Sequence, residues 1–312
     1  MNRIPFYAGI VCCLTAPSVC IAHDLRILPA SVAFVGPQAS QRVIVLAVED
    51  DMVIGDLTDR AKFACSNPEV ATVDETGVLR PAGDGEAEVN AEVQGKRATV
   101  KVQVSKSKQS QPRSFRNHVI PLLTSYGCNS GACHGALAGK GGMKLSLRGY
   151  DPAADHFVLT RQTLGRRMDD QEPEKSLFLL KPTKSIAHGG GKRFAVDSPD
   201  YRLLLDWIKE GAAAPADEDV RIQRIEVFPP AALLKPEDKL QMIVRAWYSD
   251  GHAEEVSRWA KFNSSEDLVA TVDHGGKVRV AGNGEAAITV WYANFVATSR
   301  ITSPLPNAVD PK

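Results

Sequence analysis

The sequence predicts a multidomain chain in which two all-β sandwiches flank a mainly helical central segment. Three observations carry this. A 27-residue stretch occurs twice, the residues around both copies alternate apolar and polar, and the segment between them switches to helical spacing around a Cys–Cys–His motif. A length of 312 residues leaves room for more than one core. The 37 basic and 37 acidic residues cancel, which gives no footprint for nucleic acid and no polybasic membrane patch.

In chain order, Asn2 and Arg3 lead into an apolar run from Ile4 to Ala22, and Cys20-Ile21-Ala22 puts small residues where a signal peptidase reads. Residues 1–22 are therefore expected to be a cleaved signal. The mature chain is then exported, periplasmic or at the cell surface, with no transmembrane span. Of six cysteines only Cys65, Cys128 and Cys133 outlast that cleavage, an odd number for an oxidising compartment.

Residues 23–104 and 220–303 are the two β modules. Ala61 to Ala87 and Ala260 to Ala286 align without a gap at an offset of 199, with 16 of 27 positions identical. Glu86 to Val93 alternates strictly, with Ala87, Val89, Ala91 and Val93 on one face, and Ala98, Val100, Val102 and Val104 repeat the pattern. Leu240, Met242, Val244, Ala246 and Tyr248 do the same in the second copy. Gly83-Asp84-Gly85 and Gly282-Asn283-Gly284 read as turns between strands. The stretch with Ser66, Val70, Ala71, Val73 and Asp74, and its copy with Ser265, Val269, Ala270, Val272 and Asp273, resembles the group-2 bacterial immunoglobulin-like domain. That resemblance implies spacer or adhesive modules. Cys65 faces Ser264 in the alignment and reads as a lone thiol.

Two polar stretches, 105–112 and 213–219, read as linkers around a central segment, 113–212; residues 304–312 form a tail. In the centre, Phe115, Val119, Ile120, Leu122, Leu123 and Tyr126 fit an amphipathic helix that Pro121 kinks or shortens. Ser198 caps a last helix whose apolar face is Tyr201, Leu204, Leu205, Trp207 and Ile208, closed by Gly211. Between them lies Cys128-Asn129-Ser130-Gly131-Ala132-Cys133-His134. Two thiols beside an imidazole suit covalent haem attachment, where the thiols take the vinyl groups and the imidazole reaches the iron. The same residues also suit an exported disulfide or a structural zinc site, and the motif alone leaves all three open.

A wider stretch resembles the planctomycete-type cytochrome c domain, through Gly127 to Pro152, Glu172 to Pro182, His188 to Phe194 and Trp207 to Ala212. The resemblance implies one covalent haem c on Cys128 and Cys133, with His134 as proximal iron ligand and one-electron transfer to a redox protein. His188, in a glycine loop, is the expected sixth ligand, with Met143, Met168, His156 and His118 as rivals. Histidine in place of methionine lowers the reduction potential. It further implies either a short member of the family or part of a longer chain. The alternative is a surface adhesion or carbohydrate-binding protein whose centre is structural, closed by a disulfide or metal. Its partner is then a cell-surface or polysaccharide component. Trp247, Trp259 and Trp291 offer a sugar-stacking face or core packing. Arg166-Arg167 and Lys192-Arg193 read as solvated charge or as propionate partners. No Ser-His-Asp set, paired carboxylates or nucleotide fingerprint is present, so the chain reads as a carrier or binder rather than an enzyme.

Overall fold

A computed structural model describes residues 23–306; the expected signal segment lies outside them. Strands dominate. The first module has a three-stranded sheet (Asp24–Leu28, Ile44–Glu49, Met52–Asp56) and a four-stranded sheet ordered Ser31–Val35, Lys96–Ser105, Gly85–Val93, Lys62–Cys65. A small sheet of Gln41–Arg42, Val78–Pro81 and Ala71–Val73 closes one end. The second module repeats this, with Ile243–Tyr248 in place of Ile44–Glu49 and Gly284–Tyr292 in place of Gly85–Val93. In each, one strand pair is parallel, Ser31 to Val35 beside Lys101 to Ser105 and Ala231 to Leu233 beside Arg300 to Thr302.

The alternation works as pleat geometry requires. Val89, Ala91, Val100 and Val102 are fully buried, whereas Glu86, Glu88, Lys101 and Gln103 are exposed. Ile44–Glu49 is instead a continuous apolar run, and it is buried on both faces. Val45 and Ala47 enter the core of the first module, while Ile44, Leu46 and Val48 enter the core that serves the rest of the molecule.

The repeated Val-Asp and Gly positions form one turn in each copy. Asp74 Oδ1 accepts the backbone N–H groups of Thr76 and Val78, and Asp273 Oδ1 those of Gly275 and Lys277. Gly77 follows at φ +78°, and a Cβ there would stand 2.7 Å from the carbonyl of Val43. Only glycine fits that turn.

The expected mainly α, cytochrome c-like central domain is not what the chain builds. Its helices are short: α1 (Ile120–Ser125), α2 (Pro152–Thr160), α3 (Leu177–Leu180) and α4 (Pro199–Lys209) have 6, 9, 4 and 11 residues. Irregular turns rich in glycine connect them. Nor do they enclose a core of their own. Phe115, Leu122, Leu204 and Trp207 belong to one continuous apolar cluster with Val244, Ala246 and Ile288 of the second module. Helical periodicity is a local property and was present. Whether short helices close on themselves or pack against a neighbouring sheet depends on partners far away in the chain.

Pro121 illustrates the difference. Preceding it is one wide turn, Phe115–Val119, in which Val119 and Ile120 donate to Ser114 and Phe115, five residues back. Proline has no N–H for the carbonyl of Asn117, four residues back. That carbonyl accepts from the buried Tyr292 hydroxyl at 3.2 Å instead, and Asn117 Nδ2 donates to Val220 at 2.9 Å. The kink thus becomes the attachment of the central segment to the second module.

Candidate functional site

The Cys–Cys–His segment begins where α1 ends. Gly127, at φ +69°, lets Cys128 N–H return to the carbonyl of Leu123 at 2.8 Å, a helix C-terminal turn. The loop then closes on itself. His134 N–H donates to Cys128 at 2.9 Å, Cys133 N–H to Ser130 at 2.9 Å, and a Cβ at Gly135 would stand 2.4 Å from the Asn129 carbonyl. Asn129 is buried; its Nδ2 donates to Thr124 Oγ1 at 2.8 Å, and its carbonyl accepts from Arg148 N–H at 3.3 Å.

His188 arrives from the distant glycine loop. Its ring and that of His134 lie 6.5 Å apart between centres, their planes only 7° from parallel. Each imidazole is held the same way. His134 Nδ1 lies 3.2 Å from the carbonyl of Met143, and His188 Nδ1 lies 2.8 Å from that of Gly191. A carbonyl only accepts, so Nδ1 is the donor in both contacts. Burial pushes the His134 imidazole toward its neutral form, and the facing His188 adds to this. Burial likewise pushes the Cys128 thiol up to about 11, against the nearby Arg193 guanidinium. Arg193 Nη2 stands 3.7 Å from Cys133 Sγ. Cys65, Cys128 and Cys133 are all free thiols.

The rival ligands are engaged elsewhere. His118 faces Glu254 at 3.3 Å. His156 packs edge-on to Phe115 and Trp207 with its Nε2 2.7 Å from the Ala212 carbonyl. Met143 and Met168 pack against the core. Arg167, read as surface charge, is buried and clips three carbonyls, those of Val158, Gln162 and Gly142.

A polar cluster invisible in the sequence ties the centre to the second module. Glu254 is shared by His118, His252 at 3.6 Å and the Tyr248 hydroxyl at 3.3 Å. Nearby, Asp200 in the first turn of α4 accepts from Tyr126 at 2.7 Å and from Trp259 Nε1 and Arg258, both at 3.1 Å. The period and spacing rules treat such residues as ordinary surface charge, because their partners lie in another module.

Among the described residues no group of three or more His, Cys, Asp and Glu is placed to hold a metal ion. None of the helices described is long and apolar enough to cross a membrane.

No curated protein matches the chain. By shape it is similar to domains 5–6 of the S-layer protein SbsC, at 10% identity over 91% of this chain and 98% of that one, with a TM-score of 0.35. It spans 28% of the SbsC structure containing domains 1–6, at a TM-score of 0.26. An intimin mutant of EHEC O157:H7 is 16% identical over 26% of this chain and 45% of that one, with a TM-score of 0.16. The family match of this chain is to an immunoglobulin-like domain, which corrects the assignment to the planctomycete-type cytochrome c family and its description as an electron-transfer cytochrome. Residues 260–294, in the second sandwich, match the family model of the intimin immunoglobulin-like domain.

Proposed function

We propose that the chain is an exported cell-surface protein of the adhesion type, in which paired immunoglobulin-like modules present a surface to an external partner. The match of residues 260–294 to an intimin immunoglobulin-like domain carries this reading. The neutral overall charge and the paired, strand-built modules agree with it. Protease shaving of intact cells tests it. The expected result is loss of the chain from intact cells under conditions that spare a cytosolic marker. A chain that survives shaving and fractionates with the cytosol overturns the reading.

The four predicted site residues support a separate proposal about a cofactor, one covalent haem c, independent of any cytochrome fold. The observation that favours it is the pair of parallel imidazoles, each with Nδ1 tied to a carbonyl. His134 and His188 would hold the iron, and Cys128 and Cys133 would carry the covalent attachment. A bound haem would supply iron-centred chemistry, and these side chains would hold and orient it. Co-expression with a c-type maturation system and a haem-stained denaturing gel tests this. Stain that disappears in Cys128→Ser/Cys133→Ser supports it. An unstained chain with a Cys128–Cys133 disulfide overturns it and leaves a structural centre.

A further inference from the structure

We propose that the cleft between the central segment and the second module binds an anionic sugar ring, a uronate or sulfated pyranose, of a surface polysaccharide. This deepens the adhesion reading and rests on it. The cleft encloses about 310 Å³ and is lined by Trp291, Trp259, Phe262, Arg148, Lys261 and Asn263 among others. That volume lies at the lower end of the roughly 300–1,000 Å³ of small-ligand sites, enough for one or two rings.

The lining has a sugar-binding division of labour. Trp291 keeps 36% of its surface exposed at the end of Gly284–Tyr292, giving a flat apolar platform for a ring face. Lys261 is its direct cross-strand partner, so both side chains leave the same face of the sheet and both line the cleft. Arg148 enters from the central segment on a residue at φ +55°. Neither cation has a carboxylate partner among the described residues, and no acid lines the cleft. Asn263 donates its amide to Ser264, and no partner for its Oδ1 is recorded among the described residues. Two unpaired cations beside an aromatic platform and an amide fit a ring bearing negative charge.

The first module serves as an internal control. At the offset of 199, Lys62 and Phe63 repeat Lys261 and Phe262, but Arg60, Ala64 and Glu92 stand where the second module has Trp259, Asn263 and Trp291. Phe63 and Phe262 both lie beneath the turn glycines Gly77 and Gly276, so that aromatic belongs to the fold. Packing of the module does not demand Trp291 or Asn263, since its twin folds without them, whereas Trp259, buried and hydrogen-bonded to Asp200, belongs to the contact with α4.

Titration calorimetry of the whole chain against uronate oligosaccharides, sulfated galactan oligosaccharides and neutral β-glucan oligosaccharides tests the proposal. Binding is expected to one anionic class and not to the neutral one, and the two anionic arms identify the charged group. Trp291→Ala is expected to weaken binding about tenfold or more, and Trp291→Phe to recover most of it. Lys261→Ala and Arg148→Ala, both at exposed positions, provide second readouts if Trp291→Ala is poorly folded. Absence of binding to both anionic classes overturns the proposal. So does binding that vanishes with salt but is indifferent to Trp291, which marks simple ion exchange. Protease shaving is unaffected by either result, so failure here is distinguishable from failure of the surface reading.

Discussion

Gln241 donates its backbone N–H to Asp56 at 2.8 Å, and Arg42, 199 residues before Gln241, donates its own to Glu255, 199 residues after Asp56. The two modules therefore meet in reciprocal fashion, as the halves of a two-fold dimer do. The support behind each carboxylate is also duplicated. Thr58 donates to Asp56 and accepts from Val45 N–H at 2.9 Å; Ser257 donates to Glu255 and accepts from Val244 N–H at 2.9 Å. Burial pushes the Glu255 carboxyl up, and the Arg42 N–H works against that.

Glu255→Ala is expected to destabilise the chain by about 1–3 kcal/mol, because it leaves the Arg42 N–H without an acceptor. Asp56→Ala should cost less. Together the two changes should split a single calorimetric transition into two, one for each side of the interface.

Tyr292→Phe removes the hydroxyl that satisfies the carbonyl freed by Pro121, at a buried site. A loss of about 1–2 kcal/mol is expected in urea unfolding. Amide exchange should quicken most around Phe115–Val119, which that contact pins.

The polar cluster around Glu254 in the second module is expected to contribute most between roughly pH 4.5 and 6.5. Burial alone would raise the Glu254 carboxyl, but hydrogen bonds from His118 and His252 hold it well below the usual range. Its contribution is present above about pH 4.5 and fades as pH falls through the folded value. Burial lowers His252, but Glu254 and Asp250 outweigh that and raise it. Its contribution is complete below about pH 6.5 and fades as pH rises through the folded value. Limited proteolysis between 105 and 219, followed across pH, checks this, and Glu254→Gln should flatten the profile.

Asp74 is held at about 2; burial pushes it up, but hydrogen bonds from Thr76, Val78 and Arg80 more than compensate. The depressed value stabilises the first module above about pH 4, an effect lost as pH falls toward 2. With its side chain 37% exposed, screening limits the effect to roughly 1 kcal/mol. Asp74→Asn should shift the acid-unfolding midpoint by a corresponding amount.

Gly77→Ala and Gly276→Ala should each cost more than about 1 kcal/mol. Both turns have φ near +77°, and the new methyl meets the Val43 carbonyl in one and the Phe262 ring at 2.8 Å in the other. Thermal melts of the two variants are expected to fall together.

The strand pattern of both modules, the turn glycines and the Ser198-capped helix α4 were legible because each depends on neighbours a few residues away. Val89 and Ala91 face a core wherever the strand is placed, and Ser198 Oγ caps Tyr201 N–H at 3.2 Å by local geometry alone. The Cys128, Cys133 and His134 loop was equally local. That His188 comes to face His134, rather than His156 or His118, was legible only through a resemblance to a family that the comparisons do not bear out.

By itself the sequence determined that a module occurs twice and that its strands alternate, since period and turn chemistry are written residue by residue. Only the tertiary structure decided that the middle segment shares its core with the second module. It alone decided that Arg167 and Glu254 are interior partners, and that Trp291, Lys261 and Arg148 line one cleft. Such facts depend on contacts between residues far apart in the chain, and hydrophobic burial has no direction of its own. A short amphipathic helix seeks any apolar surface, and which surface it finds is settled by the polar contacts, such as Tyr292 to Asn117, that only one packing can satisfy.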